Sequence, residues 1–238
     1  MTAQHAIARL QQRNNRYAQK HGINDYTREN EEIINALIEL LNEKSFVAKP
    51  EGRESFPFAE SLFSVYDPPI TNKIPGAECA VYHVYNYITK EEPLRKVTEL
   101  LRNTGDKSIK TNQLPYATFS GTFTQRHADC LKKHSQLMII DFDHIGGETE
   151  INNLKIHLLK DKYFETMLMF RSPSGDGLKW LINIDITRYT HKEWFEGIYW
   201  YIRKTYGLEI DKSGSDIARA CFLCYDKQAF INPNLYRV

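Results

Sequence analysis

The chain has no run of about 18 apolar residues, the length a membrane-spanning helix needs, and no apolar core near its N-terminus. Neither a membrane helix nor a secretory leader is therefore expected, and a reducing cytoplasm is the default compartment. Charge of one sign is also missing. The 31 Lys and Arg nearly cancel the 30 Asp and Glu, which argues against a protein that coats nucleic acid by bulk electrostatics. Cysteine is scarce, with Cys79, Cys130, Cys221 and Cys224 alone. Cys221 and Cys224 form a close pair, but no second pair or nearby histidine completes a zinc knuckle. They sit in the apolar stretch 220–225, which reads as a buried strand, so packing is their expected role. There are no repeats, no low-complexity tracts and no G-x-x-x-x-G-K-[ST] loop.

What is present is an ordinary globular composition, 42% apolar and 26% charged, long enough to bury a real core. Residues 1–45 have a helical pattern, with Ile33, Ile34, Leu37, Leu40 and Leu41 at helical spacing after Thr27. Residues 49–76, rich in Pro and Gly, read as connection. A strand is expected over 79–88, rich in Val and Tyr, followed by a helix that opens near Pro93 and runs to about Arg102. The second half alternates more clearly. Apolar runs at 136–142, 166–170 and 178–184 read as strands, and 148–160 as a helix. Thr190-x-x-Glu193 is a capping box for a helix carrying Trp194, Phe195, Ile198 and Ile202, closed by Gly207. With 220–225 as a last strand the order is β-α-β-β-α-β, so the expected class is α+β with an RRM-like, ferredoxin-like split unit over 136–238. Residues 46–135 form a preceding part of the same module, and 1–45 a helical extension.

Three clusters bear chemistry. Asp141-Phe142-Asp143 ends the first apolar strand, where alternation puts both carboxylates on one face and Phe142 on the other. Two carboxylates this close are costly to bury unless a cation neutralises them, and Mg²⁺ or Mn²⁺ does so with oxygen ligands. The bland alternative is a pair of solvated loop aspartates. Next, residues 171–179 join two strands of the same sheet. Ser172 and Ser174 offer hydroxyls, Gly175 and Gly177 close backbone approach, and Arg171 and Lys179 positive charge, which is the chemistry of a phosphate cradle. A plain hairpin turn accounts for the glycines but not for the flanking cations. Finally, Asp211, Asp216 and Arg219 precede the last strand. A third carboxylate there would complete a two-metal site.

Taken together, the D-x-D, the Gly/Ser turn leading to a basic strand position, and a hydrophobic-Asp followed eight residues later by Arg219 resemble the archaeo-eukaryotic primase superfamily. More narrowly, residues 114–126, the Ser-Pro-Ser-Gly turn and residues 216–222 resemble the VirE N-terminal-like branch, found in mobile elements and phages of Bacteroidetes-type bacteria. CRISPR-associated primase-polymerases are a related group. The resemblance spans roughly residues 76–238. It implies that Asp141, Asp143 and Asp211 bind Mg²⁺ or Mn²⁺, with Asp216 as rival to Asp211. It also places Arg126 near nucleotide or template. The family's second motif is Ser-x-His, whose histidine holds the incoming triphosphate, and here the matching triplet is Gly177-Leu178-Lys179. A lysine binds phosphate as a point charge without imidazole geometry.

The expected activity is thus template-directed nucleotidyl transfer by a two-metal primase-polymerase, acting on nucleoside triphosphates and a single-stranded DNA template or primer. A fused or separate helicase, or a CRISPR adaptation protein, is the expected partner, because no helicase or zinc-binding primer segment follows the final strand. The rivals are a silent nucleotide- or DNA-binding module, a metal-dependent nuclease, and an RRM-type RNA binder. The last ranks lowest, since no Lys/Arg-Gly-Phe-type signature is present. Tyr82, Tyr85 and Tyr87, and Tyr199 and Tyr201, read as packing residues. The eight histidines are scattered, and His144, just after the D-x-D, reads as a surface residue.

Overall fold

The three apolar runs of the second half become the three long strands of one antiparallel sheet. They are β6 (Leu137–Phe142), β7 (Thr166–Arg171) and β8 (Leu178–Asn183), with β10 (Phe230–Ile231) added outside β7, in the order β10-β7-β8-β6. In this computed structural model the described residues are 61–235, and they all lie in the second of two units, Met1–Glu54 and Ser55–Val238. The helical pattern at 1–45 falls outside them. Among the described residues the architecture is mixed α+β, with five helices and three antiparallel sheets.

The other sheets come mainly from the first half. β1 (Phe63–Tyr66), β2 (Ala77–Cys79) and β3 (Tyr116–Thr118) join β9 (Cys221–Phe222) in the order β2-β1-β3-β9, while β4 (Gly121–Phe123) pairs with β5 (Leu131–His134). β1 lies within the stretch read as connection, where four residues between turn formers left too little pattern to see. The strand expected at 79–88 is instead helix α1 (Val81–Lys90). Its buried Val81, Val84 and Ile88 recur at helical spacing, and this overrides the strand preference of Val and Tyr. Tyr82, Tyr85 and Tyr87 therefore belong to a helix. α2 (Glu92–Thr104) carries Pro in its first turn and ends at Gly105 in the left-handed region. α3 (Lys107–Gln113) is short and capped by the Asp106 carboxylate.

Helices α4 (Glu148–Leu159) and α5 (His191–Thr205) follow the predicted pattern, and the Thr190/Glu193 capping box is formed in both directions. The β6–β8 sheet is buried on both faces. On one, Phe142 and Trp180 pack together, Trp180 meets Phe164 edge-on, and Phe164 meets Tyr201 of α5. On the other, Leu137 and Leu181 join a single core with Phe63, Ala117 and Cys221 of the first sheet and with Phe119 in the turn after β3. Strand alternation puts Asp141 and Lys179 on this second face, at the seam between the two sheets.

Within its sheet β8 lies between β6 and β7, and the last strand of the expected β-α-β-β-α-β series does not join them. β9 is two residues long and pairs with β3, Tyr116 opposite Phe222 and Ala117 opposite Cys221. Beside the free edge of β6 runs the irregular segment around Asp211, whose amide donates to the Asp141 carbonyl at 3.1 Å. A 3₁₀ turn over Lys212–Ser215 then diverts the chain to the first sheet.

Candidate metal centre

Asp141 is held by the register of β6 on β8, which sets it directly opposite Lys179. Cross-strand partners share a face, and the Lys179 ammonium donates to Asp141 Oδ2. Asp143, one residue past the strand end, is exposed. Asp211 comes from the far side of the sequence. One carboxylate oxygen each from Asp141, Asp143 and Asp211 lies within 4.8 Å of the others, so residues 70 positions apart meet at one point. The other Asp141 oxygen, Oδ1, is buried and has no hydrogen-bond partner. A buried carboxylate oxygen left open is costly by itself and suits a hard cation, so the donor set fits Mg²⁺ or Mn²⁺.

The charges around the centre do not balance. Three carboxylates face two cations, Lys179 on Asp141 and Arg219 on Asp211 at 2.6 Å, which leaves one net negative charge. Burial pushes the Asp141 carboxyl above the usual carboxylate range against the pull of Lys179, and Asp143 and Asp211 push the same way. Burial disfavours the Lys179 ammonium, but the Asp141 carboxylate more than offsets this and leaves it raised. Both groups hold their protons more tightly than usual, as expected where positive charge is in deficit. Asp211 differs. Burial raises its carboxyl, but hydrogen bonds from the Ser213 hydroxyl and amide (2.5 and 3.0 Å), with Arg219, outweigh this and hold it lowered.

The 171–179 turn is docked on the same strand end. Ile145 donates its amide to the Asp176 carbonyl at 2.8 Å, and His144 pairs with the Asp176 carboxylate at 2.7 Å. A side chain at Gly177 would place its Cβ 2.3 Å from the Phe142 carbonyl, so only glycine lets the turn approach. Gly175 sits in the left-handed region at φ 88°. The polar groups of the turn, however, are spent within it. Ser172 Oγ accepts from the Gly177 amide at 2.9 Å and lies 3.2 Å from Ser174 Oγ, which donates to Asp176 at 2.5 Å. Arg171 Nε donates to the Gly175 carbonyl at 2.5 Å. Arg102 of α2, not singled out from sequence, holds the Ser172 and Pro173 carbonyls at 3.0 and 3.2 Å. In this state the loop is a braced turn.

Of the two aspartates that competed for the third position, Asp211 joins the cluster. Asp216 instead accepts from the Ala218 amide at 2.9 Å, capping the following turn. Arg126 lies in the bend between β4 and β5, its guanidinium over the Tyr116 ring of β3 at 5.2 Å and bonded to the Ile70 carbonyl at 3.2 Å; its Nε is buried and unpartnered. Cys221 and Cys224 are buried, free thiols pushed up to about 12 by burial, in keeping with packing.

Sequence reasoning missed a histidine pair. His134 Nε2 and His191 Nδ1 are 3.1 Å apart, and the Gln136 amide donates to His134 Nδ1 at 2.8 Å. His134 thus carries its proton on Nε2 and donates it to His191. His191 in turn is bonded to the backbone of Gly214, in the turn that follows Asp211. Burial pushes both rings down to about 4. Fifty-seven residues separate them, and no local pattern joins them. The one available signal was that His191 follows the capping residue Thr190.

A match to a family model gives the class. The chain is one of the primase-polymerase-like, VirE N-terminal-like group. Within it the chain belongs to the family described as BT4734-like, N-terminal domain, whose model matches residues 109–230, or 122 of the 238, and takes in every candidate site residue. No curated protein and no solved structure matches the chain.

Proposed function

We propose that the chain is a primase-polymerase that extends a 3′-hydroxyl with nucleoside triphosphates, directed by a single-stranded DNA template. The observation that carries this reading is the meeting of Asp141, Asp143 and Asp211 around the unpartnered Asp141 Oδ1. When bound, Mg²⁺ or Mn²⁺ supplies charge neutralisation at the triphosphate and a more acidic hydroxyl. The chain's own residues do the rest. Asp141, Asp143 and Asp211 hold the cation, Arg219 offsets phosphate charge beside Asp211, and the docked 171–179 turn fixes the position of Lys179. No side-chain nucleophile is needed. We read β6 to α5 as an RRM-like unit in which the segment around Asp211 stands where the fourth strand would pair. A cytoplasmic setting and a helicase or CRISPR adaptation partner belong to the same proposal.

One observation favours a second reading. Lys179, at the position of the family's triphosphate-binding histidine, is bonded to Asp141, and the turn hydroxyls are bonded to each other. A module that binds nucleotide or single-stranded DNA without extending a primer fits this equally simply. The deciding experiment is Mn²⁺-dependent primer synthesis on single-stranded DNA. Activity in the natural chain, abolished by Asp141→Ala and by Asp143→Ala, is expected. Synthesis unchanged in either variant would refute the enzyme reading. Triphosphate binding with no synthesis in the natural chain selects the binding module.

A further inference from the structure

Lys179 does more than stand near phosphate. Resting on the cation-binding reading above, we infer that its ammonium permanently occupies the place of one metal ion, so that the centre takes a single divalent cation where a two-metal clamp would take two. Two ions about 3.5–4 Å apart need carboxylates whose two oxygens each serve a different ion. Asp141 is the carboxylate at the middle of this centre, and its Oδ2 is taken by Lys179. Oδ1 is fully open, buried and without a partner, whereas a second ion at Oδ2 would have to sit against the Lys179 ammonium. Asp211 is restricted in the same way, with Oδ2 bound by Arg219 and the Ser213 hydroxyl and Oδ1 by the Ser213 amide. Oδ1 of Asp141, Asp143 and the remaining lone pairs of Asp211 make one oxygen site.

An incoming ion does not readily displace the lysine. Lys179 is on β8, with β7 on one side and β6 on the other, and its side chain is 5% exposed. Swinging away from Asp141 would leave its ammonium among Cys221 and apolar core residues, an uncompensated buried charge. The charge count agrees: one net negative charge remains at the centre, enough to attract one divalent ion but little to hold a second before a triphosphate arrives.

The test counts ions without needing activity. Mn²⁺ is titrated into the full chain, and the bound fraction is read from loss of the free-ion electron paramagnetic resonance signal. The natural chain is expected to take one Mn²⁺, and Lys179→Met, which frees Asp141 Oδ2, two. Mn²⁺ should also raise the melting temperature of Lys179→Met more than that of the natural chain, because it replaces the lost charge. If Lys179→Met does not fold, Lys179→Gln, neutral but hydrogen-bonding, takes its place. Two ions in the natural chain, or one in the neutral variant, overturns the inference while the cation site stands. No binding by the natural chain removes the cation site as well.

Discussion

Two cation–carboxylate pairs flank the same centre and differ chiefly in burial. In Lys179–Asp141 the side chains are 5% and 19% exposed, and in Arg219–Asp211 they are 42% and 28% exposed. The first pair is set by a strand register deep in a sheet, the second by an irregular turn at its edge. A buried pair is unforgiving, because removing one partner strands the other's charge in a low-dielectric interior. An exposed pair has water as a substitute. The centre thus combines one rigid carboxylate with one that has room to adjust.

The largest expected effect comes from breaking the buried pair. Asp141→Ala should cost roughly 3–5 kcal/mol of folding stability, measured by denaturant unfolding, and Asp141→Leu combined with Lys179→Met should recover much of it. A loss below about 1 kcal/mol in the single variant would erase the distinction between the pairs. Gly177→Ala comes next. Its Cβ would lie 2.3 Å from the Phe142 carbonyl, so the turn must lift from β6. The expected cost is about 2–3 kcal/mol, as for overpacking elsewhere, with weakened Mn²⁺ binding as the second readout.

Acid should then loosen the adjustable side through the histidine pair. Both rings are held down at about 4 against an ordinary value of 6.5, so the unfolded chain binds protons first as pH falls. Stability is fully present above about pH 6.5 and is lost progressively towards pH 4. The expected loss is on the order of 1–2 kcal/mol after solvent screening, and a His134→Gln, His191→Gln chain should show a flatter profile over that window. The smallest effect is that of Arg219→Ala. It should cost less than about 1 kcal/mol, and the difference from the natural chain should shrink in high salt, while triphosphate affinity falls more clearly than stability does.

Much of this was legible in the linear pattern. Apolar runs marked β6, β7 and β8, the Thr190–Glu193 box marked the start of α5, and period-two alternation turned Asp141 and Asp143 to one side of Phe142. Each rests on spacing within a few residues, which strand and helix geometry convert directly into a face. The region from 79 to 88 was misread because Val and Tyr favour strands while the spacing of Val81, Val84 and Ile88 is helical, and packing decided between them.

By itself the sequence determined the residue types of the centre, the sheet that carries Asp141 and Lys179, and membership of a family that unites them. Only the tertiary structure decided that Asp211 and not Asp216 joins them, that β9 leaves for the first sheet, that the Ser172–Gly177 turn spends its hydroxyls on itself, and that His134 reaches His191. The physical reason is common to all four. Three of them join segments with no shared periodicity, and the fourth depends on a turn docking against β6, so all follow from how the whole core packs.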